Sequence, residues 1–155
     1  MKGNPKIIDM LNLLLAEELT AVNQYMVHAE MCDDWGYAKL DEAVEKRAIE
    51  EMKHAEKLIG RILFLEGTPV VSNLNKISIG ADVKTQLMND KEEEIIAIAH
   101  YNKAVRLAAD ESDNGTKEVL HGILREEEDH LDWIETQLEQ INQMGIQNYL
   151  VEQLG

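Results

Sequence analysis

Leu120-His121-Gly122-Ile123-Leu124-Arg125-Glu126-Glu127-Glu128-Asp129-His130-Leu131-Asp132-Trp133-Ile134 is the stretch on which the fold turns. Read as a helix, with each residue rotated by about 100° from the last, it places Glu127 and His130 on one face with Leu120, Ile123, Leu124, Leu131, Ile134 and Leu138. The spacing Glu-x-x-His is one helical turn, so both side chains project the same way. An earlier copy, Glu118-x-x-His121, shares its face with Arg125, Glu128, Asp132 and Glu135 and is read as solvent-facing. The apolar period therefore points one carboxylate and one imidazole into a core, and leaves the other pair in water.

Three more segments repeat this behaviour. Glu51 and His54 lie with Val44, Ala55, Leu58, Ile62 and Leu65; Glu18 lies with Leu11, Leu14, Ala21 and Tyr25; Glu94 lies with Leu87, Ile98, Tyr101 and Val105. The positions are related by a fixed offset: 94 − 18 = 76, 127 − 51 = 76, 130 − 54 = 76, and Tyr25 to Tyr101 is 101 − 25 = 76. A repeated ligand pattern implies two equivalent half-sites about a pseudo-twofold axis.

These faces belong to four long helices. The first is expected over Pro5 to Asp34, with proline where a helix start tolerates it. Trp35-Gly36-Tyr37 breaks it. The second spans about Leu40 to Glu66 and stops at Gly67-Thr68-Pro69; the third spans about Asp82 to Glu111. Asp113-Asn114-Gly115 reads as a tight turn, the fourth helix ends near Met144 before Gly145, and a short tail helix covers Ile146 to Leu154. The Gly67–Ala81 link is long enough to run the length of a bundle, whereas the other breaks join antiparallel neighbours. The expected fold is all-α: one domain, 1–155, of two hairpins joined by a long crossover between helices two and three, with a short C-terminal fifth helix.

Composition agrees. Hydrophobic residues make up 45% of 155, enough for one core, and aromatics at 5% disfavour an all-β fold. Net charge is −15, so the surface suits cations and not nucleic acid. One cysteine, Cys32, excludes an internal disulfide. No apolar run spans a bilayer and no signal peptide is evident, so a cytoplasmic setting is expected.

Four glutamates forced inward repel one another and are disfavoured without compensation. No lysine or arginine lies on their stripes. Two divalent cations balance four carboxylates, and an oxygen and nitrogen donor set suits iron, manganese or zinc. Met52 points about 130° away from the mean direction of Glu51 and His54. Outward-facing Ala48, Ile49 and Ile59, together with Leu15, Leu19, Val22 and Met26, form apolar stripes that suggest a subunit interface.

One Glu from each of two helices and Glu-x-x-His from each of the other two resembles the ferritin-like dinuclear pattern. The sequence resembles the bacterioferritins along nearly its whole length, in Met1-Lys2-Gly3, Glu51-Met52-Lys53-His54-Ala55, Arg61-Ile62-Leu63-Phe64-Leu65-Glu66-Gly67, Asp132-Trp133-Ile134-Glu135-Thr136 and Asn148-Tyr149-Leu150. The resemblance implies two iron ions per subunit held by Glu18, Glu51, His54, Glu94, Glu127 and His130, with Glu51 and Glu127 bridging. It implies ferroxidase chemistry, Fe²⁺ being oxidised by oxygen or peroxide, and ferric mineral stored in a homo-oligomeric shell of twenty-four subunits built from twofold dimers. Tyr25 is similar to the family's tyrosine beside the iron pair, where it donates an electron, a hydrogen bond or only packing. Met52 matches the axial ligand of haem b or a related iron tetrapyrrole, one shared per subunit pair. A ferredoxin-like electron donor would serve iron release.

Many members have tyrosine, histidine and aspartate where this chain has Glu45, Lys46 and Glu50, which puts the family's inner-surface iron site in doubt. Asp34, Glu66, Asp132 and Glu139 stand where pore-lining acids stand in the family, or are simply solvated. His28 and His100 are read as ordinary polar positions. Two rivals are a haem-binding electron carrier or shell protein with an unused metal site, and a ferritin-like oxidase of an organic substrate.

Overall fold

The computed structural model describes residues 1–155 and contains five helices and no strand. Helix α1 (Pro5–Asp34) opens with Asn4, whose side chain accepts from the Lys6 N–H at 2.8 Å. Gly36, at φ +83°, turns the chain into α2 (Ala38–Phe64). After the crossover, Asp82 caps α3 (Val83–Asp110) by accepting from the Thr85 N–H at 2.8 Å.

The junction before α4 (Asn114–Met144) differs from the expected turn at Asp113-Asn114-Gly115. Asn114 and Gly115 already belong to the helix. Ser112, at φ 57°, makes the reversal. Asp113 is the cap, accepting from the Thr116 N–H at 3.0 Å and its hydroxyl at 2.6 Å. Gly145, at φ +82°, stops α4, and α5 (Ile146–Val151) is shorter than expected.

Helices α1 and α2 pack as one hairpin and α3 and α4 as the other; α1 then meets α3, and α2 meets α4. The apolar core is divided. One cluster includes Leu11, Leu14, Leu58, Ile62, Leu120 and Ile123; two smaller ones centre on Ala21, Ala29 and Val44, and on Leu87, Ile134 and Tyr149. Glu18, Glu51, His54, Glu94, Glu127 and His130 fall between these clusters along the helices, forming a polar layer inside the bundle.

The crossover is held by a polar ladder on α1. Side chains of Asn12, Thr20, Gln24 and His28 accept the backbone N–H groups of Val70, Asn75, Ser78 and Gly80 at 2.8, 2.9, 3.0 and 3.1 Å. Spacings of four and eight residues keep these acceptors on one helical face. Gly80 is required by close approach, since a Cβ there would lie 2.4 Å from the Gln86 nitrogen. His28 is thus not the ordinary polar position expected. It is fully buried, its Nε2 accepts from Gly80, and its Nδ1–H faces Asp90 at 2.9 Å. No helix is long and apolar enough to cross a membrane.

Candidate metal centre

Each helix of the bundle delivers its part of the polar layer. Glu18 comes from α1, Glu51 and His54 from α2, Glu94 from α3, and Glu127 and His130 from α4; none is more than 2% exposed. Their donor atoms form two overlapping groups, Glu18-Glu51-His54-Glu127 and Glu51-Glu94-Glu127-His130, each spanning no more than 4.8 Å. Glu51 and Glu127 are common to both, so they sit where bridging ligands would. The two imidazoles face one another nearly parallel, with centroids 6.1 Å apart.

The chemistry of these atoms fits a metal pair. Buried polar atoms are almost always hydrogen-bonded. Here one oxygen of each of the four carboxylates and Nδ1 of both histidines are buried without a well-aligned hydrogen bond, although His54 Nδ1 lies 2.7 Å from Glu127 and His130 Nδ1 2.8 Å from Glu51. Six such atoms converging in one layer are a donor set that could hold metal ions. Burial, then the neighbouring Glu18 and Glu127, push the Glu51 carboxyl well above the usual range; burial, then Glu18 and Glu94, do the same to Glu127. Burial works against a charged His54, but contacts to Glu127 and Glu18 outweigh it and raise the imidazole to about 11. Protons therefore offset part of the charge that cations would otherwise balance, and metal binding would release them.

The outer nitrogens of the histidines are fixed crosswise. Nε2 of His54 is held by the carboxylate of Glu126 on α4, and Nε2 of His130 by Glu50 on α2, at 2.5 Å for the latter. Carboxylates in this position set the tautomer, leaving Nδ1 to face inward. Sequence reasoning missed both roles, reading Glu50 only as a departure, although 126 − 50 = 76 is the offset already found among the ligands.

The tyrosines are also crossed. Tyr25 donates to Glu94, and Tyr101 donates to Glu18 at 2.6 Å. Tyr25 thus serves the carboxylate of α3, not its helical neighbour Glu18. Burial, then Glu94 for Tyr25 and Glu18 for Tyr101, lift both phenols well above 10, so they stay protonated donors.

The ferritin-like domain family matches residues 8–144. The chain is 40% identical to the bacterioferritin of Brucella melitensis over 96% of its length and 92% of that protein. It is 40% identical to a bacterial ferritin of Synechocystis over the whole of both chains, and 39% identical to the bacterioferritin of Rhodobacter capsulatus over 96% of this chain and 92% of that one. The chain belongs to the bacterioferritin family. That membership supports iron storage, and the carboxylate and histidine cluster fits a di-iron site.

Other positions sort by exposure. Met52 lies on the outer face of α2 and is 45% exposed, beside Ile49 at 43% and with Met26 of α1 at 50%. The outward stripe is narrower than expected, because Leu15 and Ala48 are buried within the bundle. Glu118 and His121 face solvent, as their helical phase requires. Asp34, Glu66, Asp132 and Glu139 are all exposed. Cys32 is buried, and burial pushes its thiol up to about 11. His100 leaves solvent only in part and contacts Glu17.

Proposed function

We propose that the chain is a ferroxidase of the iron-storage kind, binding Fe²⁺ at the six-ligand centre, oxidising it, and passing ferric iron to a mineral inside a shell of twenty-four subunits. The carrying observation is the pair of overlapping donor groups that share Glu51 and Glu127, with six buried atoms that lack a well-aligned hydrogen bond. Two Fe²⁺ are the substrate. They surrender two electrons, which with two protons reduce O₂ to H₂O₂, or H₂O₂ to two waters. Glu51 and Glu127 would bridge the two ions. Glu18 and Glu94 would close the ends, steered by Tyr101 and Tyr25, and Glu126 and Glu50 would hold the imidazoles in register. The cleft that leads to the layer is lined by seven glutamates and only three hydrophobic residues, which suits a cation and disfavours a ferritin-like oxidase of small organic molecules. All six candidate donors converge in the buried layer, which disfavours a carrier with an unused centre.

The experiment is anaerobic Fe²⁺ loading followed by oxygen, read by the appearance of ferric absorbance. Glu94→Ala removes an end ligand and should slow the fast phase by a hundredfold or more, about the effect of losing 2.7 kcal/mol of stabilisation. A fast phase that survives the substitution would overturn the assignment.

Met52 supports a second component of the same reading. Its thioether projects from an apolar outer face, which suits a haem held between two subunits, one Met52 from each. Thioether ligation raises a haem's potential, and the group would supply electrons for reducing and releasing stored iron, with a ferredoxin-like protein as donor. Met52→Leu should abolish or shift the Soret band of protein purified with haem while leaving Fe²⁺ oxidation intact.

A further inference from the structure

A single cleft of about 380 Å³ reaches from the surface between α1, α3 and the crossover down to Glu18, Glu51, Glu94 and Glu127. Seven of its fifteen lining residues are glutamates, against one lysine, Lys76, so the channel attracts cations over anions. Near its mouth, Glu17 of α1 meets His100 of α3, with Nδ1 of the imidazole lying against Oε1 of the carboxylate. The Glu17 side chain is only 10% exposed, while that of His100 is 36% exposed. The other oxygen of Glu17, Oε2, is buried without any hydrogen-bond partner, and its residue lines the cleft. One oxygen of this carboxylate is thus kept inside with its hydrogen-bonding capacity unused. Glu93, half-buried one turn before Ala97, lines the same wall.

We propose that Glu17 and His100 form a third divalent-cation site, a two-ligand station completed by water, at which Fe²⁺ pauses before passing to Glu18 and Glu94. The proposal rests on the dinuclear reading above, and extends it to the route by which the substrate arrives. Glu17 is adjacent in sequence to Glu18, and His100 is adjacent to Tyr101, whose hydroxyl holds Glu18. A cation at the station is therefore linked through both helices to the same end ligand. Two protein donors, in place of the four in each inner group, make it the weaker site, which suits transfer inward. The cation takes the place of the proton shared between Nδ1 and Oε1, and that proton leaves to water.

The test uses Zn²⁺, which accepts the same nitrogen and oxygen donors without redox chemistry. Crystals of the assembled metal-free protein soaked in Zn²⁺ should show three anomalous peaks per subunit: two at the inner centre and one of lower occupancy between Glu17 and His100. The double variant Glu17→Gln/His100→Asn should keep the inner two and lose the third. Glu92→Gln, an equal change of charge at the same mouth, should keep all three. In solution, the double variant should raise the KM for Fe²⁺ about tenfold with kcat unchanged, because delivery to the inner centre is slowed while the chemical step is untouched. Two inner peaks with no third in the wild type, or a third that survives in the double variant, overturns the station while leaving the dinuclear centre intact. Absence of zinc from all positions overturns both readings.

Discussion

Glu51 is the residue at which stability and chemistry pull hardest against one another. It is 1% exposed, and its carboxyl is raised by burial and by the facing Glu18 and Glu127. Glutamine fills the same space without the charge. Metal-free Glu51→Gln should be at least as stable as the wild type, with a gain of about 1 kcal/mol, or roughly 2–4 °C in Tm. Zn²⁺ should raise the wild-type Tm by binding only the folded state, and should leave the variant's nearly unmoved. Differential scanning calorimetry with and without Zn²⁺ decides it; a wild-type-sized response in the variant would remove Glu51 from the ligand set. At this scale the six buried polar residues of the layer were legible because each is a polar exception on a strongly apolar helical face. Glu50, Glu126 and His28 were not. Their partners lie on other elements, so helical phase around their own neighbours gives no sign of the contact. Only the 76-residue offset marked the first two.

Among the elements, the start of α4 bears the clearest pH-dependent load. Asp113 caps the helix and also accepts from Arg61 of α2 at 2.9 Å, tying the two hairpins together. Burial works to raise its carboxyl, but hydrogen bonds from Thr116 and Arg61 prevail and hold it below the usual range. A depressed folded-state pKa means stability that is present above the unfolded value of about 3.9 and is lost as pH falls through the folded one. Asp113→Ala should cost about 1–2 kcal/mol in urea unfolding at neutral pH, by loss of the cap and the ion pair. The gap between the two proteins should narrow below about pH 4. A gap independent of pH would show that the ionised carboxylate is not the source. Helix existence and order were readable from the 3.6-residue period, and so was the crossover from its length. The α3–α4 junction was misplaced because Asp-Asn-Gly is common to turns and to helix starts; what separates them is Thr116, whose N–H and hydroxyl both reach back to Asp113. The ladder that seats the crossover was hidden for another reason, since Asn12, Thr20, Gln24 and His28 look like ordinary polar spacing until backbone donors arrive.

For the whole molecule, the outward apolar face of α1 and α2 is the feature that a lone subunit leaves unfinished. Met26, Ile49 and Met52 are 50%, 43% and 45% exposed. Burying such a patch against a second copy stabilises at about 25 cal/mol per Å² before the costs of association are counted. Met26→Glu/Ile49→Glu should shift the protein from large assemblies to dissociated subunits in analytical ultracentrifugation, with helix content retained by circular dichroism. Intact assemblies in the double variant would assign the pairing surface elsewhere. The crossed contacts carry a separate consequence, for the order of events during synthesis. Tyr25 reaches Glu94, Tyr101 reaches Glu18, and His54 waits on Glu126. The first hairpin carries three donors of one group, Glu18, Glu51 and His54, but its fourth, Glu127, and the outer partner Glu126 both wait on α4, so neither group is complete until the last long helix has been released from the ribosome. Completion of the centre is thereby coupled to docking of the two hairpins, late in synthesis.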